Sequence, residues 1–416
     1  MSHVVRRLSM GVHPDLLESL DDADAAVASA LDLGASPAPA LEMEAPTDPR
    51  DRDRDAFVAA VAWWVERMRS GDRLIEERLV WFWHDHFATS LAKVRTPYLM
   101  HGQHLTIRRH ASGSFAELLR AMAKDPAMLI YLDGVTNAAG RVNENFGREC
   151  LELFTMGIGG GYTQDDVVEA SRSFSGWFVN VPGRRFTRDD LPLWSSAFVP
   201  RRHDAGEKTL LGRTGNFDLD DALDVVLDHP ATARFVASKL YRELIGFGPD
   251  EETAERLAAG FRPDYAILPL VEAIVAEPAF LDDSAVRSKP RTPVEKLVGL
   301  VQAVPEATSD GIAPQAAGRV GLALRTVGYV PFVPPNVGGF PTGPSLLGPH
   351  QLLHSFDLLG ALLQPSDDLF PDDVDELFGR LGLFDVSDRT LEVVSAEPEP
   401  ARRFALAFTS PEFAVA

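Results

Sequence analysis

The chain has 416 residues, of which 45% are hydrophobic and 24% charged, an ordinary composition for a globular protein with a large core. Its formal net charge of −21, from 40 basic and 61 acidic residues, repels phosphate backbones and anionic lipids, so we expect no nucleic-acid partner. A single cysteine excludes an intrachain disulfide, and no apolar run reaches the roughly 18 residues of a membrane span.

The N-terminal segment carries two adjacent arginines, Arg6 and Arg7, as some export signals do. An export signal continues with an apolar run of about 7–15 residues, whereas an acidic stretch follows here. We therefore interpret the N-terminus as the first helix of the fold and expect a cytoplasmic protein. Residues 34–55 are rich in proline, alanine and charge, which is typical of a surface linker.

Helical periodicity dominates the next part of the chain. Apolar residues recur at helical spacing from Asp55, and an aromatic-rich helical segment follows at 73–91. Gly113 and Ser114 mark the end of one helix and the cap of the next. Thr163 is predicted to cap another helix, whose first turn contains two aspartates. We also expect helices at 97–124, 125–133 and 143–157.

Residues 176–215 interrupt the helical pattern. Short runs of β-forming residues lie there among glycines and prolines, which predicts a small antiparallel ribbon. Helical patterns resume at 219–303, 313–327 and 346–412, around a proline- and glycine-rich loop at 330–344. We therefore predict a mainly α protein, one large multi-helical domain over residues 1–416 with about 15–20 helices and a small β excursion.

The stretch NENFGRECLELFTMG, residues 143–157, is the most informative of these helices. At about 100° per residue, one stripe of the helix carries four polar side chains, and apolar residues cover most of the rest. A helix with so much apolar surface is usually buried. Buried carboxylates need a cation, a hydrogen-bond donor or a metal as partner. The stripe consists of Asn145, Arg148, Glu149 and Glu152.

Several motifs together resemble the bacterial family called domain of unknown function 1800 (DUF1800). They follow the order of that family and span nearly the whole chain. They are FWHDHFATSLAK (82–93), IRRHASGSFAELL (107–119), DPAMLIYLD (125–133), NENFGRECLELFTMG (143–157), YTQDDVVEASRSFSGW (162–177), HDAGEKTLLG (203–212), HPATARFVASKL (229–240) and PPNVGGFPTGP (334–344).

The resemblance implies no settled biochemical activity. It implies that many relatives are exported and are encoded beside a sulfatase-like protein, which is therefore the partner that the resemblance suggests. We expect no leader of that kind in this chain. It also has Phe340 where the family motif usually has tryptophan, and Cys150 where an aliphatic residue is usual.

His84 and His86 are the first candidate metal ligands. Residues two apart on a regular helix lie about 200° from each other, so both would chelate one ion only if the chain leaves the helix at Asp85. Otherwise one of them binds while the other packs. The alternative is a pair of core histidines that are hydrogen-bonded to their neighbours.

Glu149 and Glu152 are the second candidate pair. They lie one helical turn apart and face the same way, and carboxylates at this spacing build metal sites with imidazoles from another helix. The alternative is a buried ion network in which Arg148, Arg108 or Arg109 neutralises the glutamates.

His203 and Asp204 form a third candidate, on a predicted turn where a scaffold often holds functional side chains. The alternative is a structural turn in which Asp204 caps the backbone.

Two functional hypotheses follow. In the first, the protein is an enzyme, and Glu144 or Asp204 transfers a proton while Arg148 orients the carboxylates or holds an anionic substrate. In its metal-dependent form, a divalent cation activates water or oxygen and is held by His84, His86, Glu149, Glu152 and His203. In the second, the protein is a non-catalytic helical scaffold that binds a partner, and the same residues form a buried ion network. The sequence leaves the reaction open.

Overall fold

The computed structural model describes residues 1–37, 39–50, 52–184, 187–308, 314–363 and 369–416. The predicted mainly α fold with a small β excursion is confirmed, since these ranges contain twenty-two α-helices and strands only in two small sheets. Several of the helices span a single turn or two, so their number exceeds the predicted one. No helix in the described ranges has both the length and the apolarity to cross a membrane.

Eleven α-helices lie in the described part of the first 173 residues. They are α1 (Ser2–Leu8), α2 (Pro14–Ser19), α3 (Ala23–Leu31), α4 (Arg54–Ser70), α5 (Leu74–His86), α6 (Leu91–Val94), α7 (Pro97–His110), α8 (Phe115–Ala123), α9 (Pro126–Tyr131), α10 (Asn145–Glu149) and α11 (Gln164–Ser173). A π-helix, Cys150–Thr155, continues α10, and a 3-10 turn lies at Gly134–Thr136. Thr163 caps α11 as predicted, and forms a reciprocal capping box with Asp166.

The remaining helices follow the β excursion. They are α12 (Leu219–Asp228), α13 (Pro230–Ile245), α14 (Glu251–Phe261), α15 (Ile267–Val275), α16 (Pro293–Ala303), α17 (Pro314–Thr326), α18 (Pro349–Leu362), α19 (Val374–Arg380), α20 (Asp388–Ala396), α21 (Pro400–Phe408) and α22 (Pro411–Ala414). Short 3-10 turns lie at Pro200–Arg202, Pro278–Phe280, Pro305–Thr308 and Gly343–Leu347.

The β excursion consists of two antiparallel ribbons. Strand β1 (Trp177–Val179) pairs with β2 (Ser196–Phe198), and β3 (Lys208–Leu210) pairs with β4 (Arg213–Gly215). Positions 185 and 186 of the predicted excursion lie outside the described residues.

The described residues of the 34–55 segment form no helix before α4 begins at Arg54. Four side chains of the neighbouring structure donate hydrogen bonds to its backbone carbonyls. They are Arg73 to Ala35 at 2.7 Å, Trp63 to Pro39 at 3.2 Å, His101 to Leu41 at 2.8 Å and Trp194 to Pro46 at 2.7 Å. Positions 38 and 51 of this segment lie outside the described residues.

Two helices of the core carry charged side chains in apolar surroundings. Every residue of α16 is buried, including Glu295 and Lys296, and α5 is buried over almost its whole length. A helix that is buried on all sides must provide each of its charged groups with partners. The partners of these two helices define the candidate site described below.

The twin arginines of α1 belong to this core. Arg6 donates to the backbone oxygen of Gly382, and Arg7 donates to Ala285 O at 2.7 Å and to Ser288 Oγ at 2.8 Å. Both arginines are buried. Their side chains therefore join the N-terminal helix to segments that lie 278 and 376 residues later in the sequence.

Candidate functional site

The candidate site begins at the C-terminal end of α5, where His84, Asp85 and His86 follow one another. Successive helical residues point in different directions, and these three side chains reach three different sets of partners. The sequence-predicted histidines therefore do not share one environment, and the residue between them acquires a role of its own.

His84 lies in an aromatic pocket. Its Nε2 accepts a hydrogen bond from the backbone N–H of Phe332 at 3.2 Å, and the rings of Trp64, Phe332 and Phe340 surround it. Burial lowers the pKa of His84 to about 3. The imidazole is therefore neutral at physiological pH, with the lone pair of Nε2 engaged by the backbone.

His86 connects the π-helix to α13. Its Nε2 lies 2.9 Å from the backbone oxygen of Phe154, and because a carbonyl only accepts, Nε2 carries the proton. Burial, reinforced by the nearby Lys239, lowers the pKa of His86 well below its usual value. In this neutral tautomer Nδ1 is an acceptor, and it takes a hydrogen bond from Lys239 Nζ at 3.2 Å.

Asp85 lies under the 334–344 loop. Its Oδ1 accepts the backbone N–H of Phe340 at 2.7 Å. The loop approaches so closely that a Cβ on Gly339 would lie 2.3 Å from Oδ1, and Gly339 also has a positive φ of 96°. Burial raises the pKa of Asp85 to about 6, although the Phe340 hydrogen bond and Lys239 act in the opposite direction.

Aromatic stacking fixes the loop above Asp85. The ring of Phe340 lies 5.3 Å from Trp81 and 4.9 Å from Tyr329, in stacked arrangements, and the Tyr329 hydroxyl donates to the backbone oxygen of Pro341. Such offset ring pairs add about 0.5–1.5 kcal/mol beyond the area that they bury. The loop is therefore a packed element that holds the hydrogen bond to Asp85 in place.

The charged residues around Asp85 form one continuous network. Asp85 interacts electrostatically with Lys239, Glu243 and Lys289. Lys289 forms an ion pair with Glu243, whose Oε1 also lies 3.2 Å from Arg78 Nη1. The side chains of Glu243 and Lys289 retain 20% and 16% of their exposure, so this end of the network reaches solvent.

The opposite end of the network is closed. Arg78, with a side chain only 2% exposed, pairs with Glu295 at 2.6 Å and donates to the backbone oxygens of Arg6, at 2.9 Å, and Ser9. Burial pushes the pKa of Glu295 upward, but Arg78 and Lys289 hold it at about 2. Protein atoms therefore hold both members of this ion pair, while the Nε of Arg78 lacks a hydrogen-bond partner within the described residues.

The 143–157 stretch contributes mainly backbone to this site. Glu149 and Glu152 are half-buried, and burial together with the charge of Glu152 raises the pKa of Glu149. Arg148 lies 2.9 Å from Glu144. Neither Glu149 nor Glu152 has a cation within salt-bridge distance among the described residues, while Arg108 pairs with Glu77 on α5. The group of this stretch that meets His86 is the carbonyl of Phe154.

His203 and Asp204 lie on a turn beside β3. His203 Nδ1 is 3.1 Å from the backbone oxygen of Ser175, and Asp204 forms a two-pronged ion pair with Arg172 at 2.9 and 3.1 Å. Hydrogen bonding from Arg172 lowers the pKa of Asp204 to about 2. Buried Lys208 donates to the backbone oxygens of Asp204, at 2.6 Å, and Gly206, at 3.0 Å. These contacts tie the turn together.

The predicted ligands therefore fall into separate groups. His84 and His86 end α5, Glu149 and Glu152 lie beside Glu144 and Arg148, and the last histidine lies on the turn of the β excursion. Over the described ranges, no three His, Cys, Asp or Glu side chains converge in a way that could hold a metal ion.

The sequence reasoning missed the charged partners of the α5 end, Asp85, Lys239, Glu243 and Lys289. Lys239 and Glu243 are four residues apart on α13, which from sequence is the pattern of an exposed surface ion pair. From the sequence alone, Asp85 is only the residue between the two candidate histidines. The sequence contains one signal for these partners. The aromatic residues around Asp85 predict an apolar core, in which an unpaired carboxylate is unfavourable.

Comparison with known proteins adds a family but no activity. The sequence model of the family described as "Protein of unknown function (DUF1800)" matches residues 3–415, nearly the whole chain. No curated protein and no solved structure matches the chain. The order of the motifs and the extent of this match together show that the chain belongs to the DUF1800 family.

Proposed function

We propose that the protein is an enzyme in which Asp85 and Lys239 exchange protons with a substrate. One observation carries the proposal: a carboxyl and an amine with displaced pKa values interact with each other within a buried ion network, one end of which reaches solvent. Burial raises the pKa of Asp85 to about 6 and lowers that of Lys239. Pairs of groups whose surroundings shift their pKa values in this way are typical of acid–base sites.

The neighbouring groups support a role for Asp85 as proton donor and for Lys239 as proton acceptor. A carboxyl with a pKa of about 6 holds a proton in a useful fraction of molecules near neutral pH, so Asp85 can donate it. A lysine with a lowered pKa loses its proton more readily and can accept one from the substrate. His86 positions Lys239 through Nδ1, and the Phe340 N–H positions Asp85.

The experiment is an incubation of the full-length protein with a fractionated cell extract of small molecules, followed by untargeted mass spectrometry. We expect the wild-type protein to consume a chemically coherent set of compounds, and Asp85→Asn and Lys239→Met to lose this activity while they remain folded. Arg234→Gln is the matched control, because it removes a cation from the same helix that is already paired with Glu251 and Glu255. Equal consumption by all variants, or none by the wild-type protein, contradicts the proposal.

The scaffold hypothesis has its own supporting observation in the closed end of the network. There Arg78 is bound by two carboxylates and two backbone oxygens, an arrangement that fixes how α5, α13 and α16 meet. Buried ion pairs of this kind specify packing more than they add stability. If the extract is unchanged and Asp85→Asn and Lys239→Met only alter stability, a scaffold is the better description.

Metal dependence remains a separate prediction. It requires His86 or His84 to give up a lone pair that now accepts a hydrogen bond from Lys239 or Phe332. Elemental analysis of untagged protein tests it: about one equivalent of a divalent ion, lost in folded His86→Ala and Glu149→Ala variants, supports a bound metal. A cytoplasmic location and a sulfatase-like partner also stay predictions.

A further inference from the structure

Helix α18, Pro349–Leu362, turns its more apolar side toward solvent. Leu352, Leu353 and Phe356 are 49%, 62% and 48% exposed. A surface helix normally does the reverse, with its apolar stripe against the core and its polar residues in water. The exposed side of α18 therefore has the composition of a surface that packs against a further element. The buried side consists of Gln351, His354, Ser355, Leu358 and Ala361, three of which are polar.

The exposed apolar residues form one continuous strip along the helix. At about 100° per residue, five nonpolar residues fall within roughly 100° of the circumference, on the side opposite the buried residues. Residues three or four positions apart lie beside each other on a helix, so the strip has no polar interruption. A contiguous apolar surface of this kind marks an interaction site. The α18 strip consists of Pro349, Leu352, Leu353, Phe356 and Gly360, all exposed.

Charge narrows the class of partner. Helix α18 contains no lysine or arginine, and Asp357 is its only acidic residue. Helices that lie on a membrane surface carry basic residues along their polar face, and the net charge of −21 repels anionic lipids. The strip therefore fits the surface of another protein chain, at a contact region that carries little net charge.

Two exposed polar residues at the edge of the strip identify that chain as a second copy. His350 and Asp357 are seven residues apart, so they lie within about 20° of each other on the same flank of α18. Neither has a hydrogen-bond or ion-pair partner in the part of the chain that the structure describes. When two copies of a helix pack antiparallel about a twofold axis, each flank meets the same flank of the other copy in reverse order. An axis midway between the two positions thus brings His350 of each copy to Asp357 of the other.

The same axis also matches the apolar residues. It places Leu353 of the two copies together near the centre, and Leu352 of each copy near Phe356 of the other. An isologous interface has to be self-complementary in this way. Two copies with a net charge of −21 repel each other elsewhere on their surfaces, whereas here a single acid faces a histidine on each side.

We propose that the α18 strip forms the interface of a homodimer, in which two copies of α18 pack antiparallel about a twofold axis. The apolar residues leave water on association, and His350 and Asp357 form two equivalent polar pairs at the edge, which fix the register. Assembly of this kind is independent of the reaction proposed for Asp85 and Lys239.

Sedimentation equilibrium of the full-length protein over a range of concentrations measures the assembly directly. We expect a mass of twice 45.4 kDa for the wild-type protein, falling toward 45.4 kDa on dilution. Phe356→Asp places a carboxylate within the interface and should weaken the dimer at least about tenfold, or roughly 1.4 kcal/mol. Ile158→Asp is the matched control, because Ile158 is 82% exposed and lies outside α18. Its dimer should be as stable as that of the wild-type protein.

A charge exchange tests the antiparallel register. His350→Glu brings two like charges together at each edge and should weaken the dimer, whereas His350→Glu combined with Asp357→Lys should restore it. These exposed side chains can be replaced without disturbing the core, and circular dichroism verifies the fold of each variant. A wild-type protein that stays monomeric at all concentrations overturns the proposal and leaves the strip to a different protein. So does a Phe356→Asp dimer as stable as the wild-type dimer, or a double variant no more stable than His350→Glu alone.

Discussion

Replacing Arg78 by methionine is the sharpest test of the buried network. The substitution keeps an unbranched side chain of similar length but removes the charge. It leaves Glu295, whose side chain is 4% exposed, without its partner at 2.6 Å, and leaves two backbone oxygens without a donor. Breaking a buried ion pair from one side typically costs about 3–5 kcal/mol. We expect a loss of that size in the free energy of unfolding at pH 7.

The pH dependence of this loss identifies its cause. In the wild-type protein the pKa of Glu295 is held at about 2, below its usual value, so its contribution is present at neutral pH and lost only as the pH falls toward 2. Without Arg78, burial dominates and raises the pKa of Glu295. The variant then gains stability when protonation neutralises Glu295, so the difference between wild type and variant should narrow as the pH falls from 7 to 5.

Urea denaturation, followed by circular dichroism and tryptophan fluorescence, measures both the loss in the free energy of unfolding at pH 7 and its change with pH. The double variant Arg78→Met with Glu295→Gln closes a thermodynamic cycle and should recover part of the loss, since no unpaired charge then remains buried. A loss below about 1 kcal/mol, typical of an exposed ion pair, would refute the reasoning. So would a double variant in which the two losses simply add.

Three further predictions concern the surroundings of the site. Gly339→Ala should lower the free energy of unfolding by about 1–3 kcal/mol in urea denaturation, because the added Cβ would collide with the Asp85 carboxylate and the residue has a positive φ. Gly343→Ala, which places its Cβ in open space, should lower it less. The pKa of Asp85 is raised to about 6, so protonation of its carboxyl stabilises the folded protein as the pH falls below 6. Between pH 8 and pH 5, the free energy of unfolding of Asp85→Asn should therefore fall by roughly 1 kcal/mol relative to that of the wild-type protein. Lys208→Met should lower the free energy of unfolding by about 1–3 kcal/mol, measured by urea denaturation, because two backbone carbonyl oxygens lose the charged donor that joins them.

Sequence periodicity was sufficient for the fold because helices depend on local patterns. The capping box at Thr163 and the ribbons inside 176–215 were likewise visible, since a cap and a β-forming run are signals within a few residues. The family motifs extended the interpretation to nearly the whole chain.

The site was less predictable because its contacts cross the chain. Lys239 meets His86 across 153 positions, and no local pattern encodes such a pairing. The polar stripe predicted for the 143–157 stretch assumes a regular α-helix, but from Cys150 the chain forms a π-helix, with Met156 N bonded to Leu151 O at 2.9 Å. Its glutamates remain half-exposed, and a backbone oxygen of the last turn becomes the acceptor for His86.

The burial of the twin arginines has a consequence for how the protein is made. Arg7 finds its acceptor at Ala285, 278 residues later, and Arg6 finds Gly382, 376 residues later. At about 5–20 residues per second, a ribosome needs roughly 15–55 s to extend the chain from Arg7 to Ala285. During that interval the two guanidinium groups lack these acceptors, although α1 can already pack against α3 and α5. Shielding of the two arginines at the nascent N-terminus should therefore raise the yield of native protein.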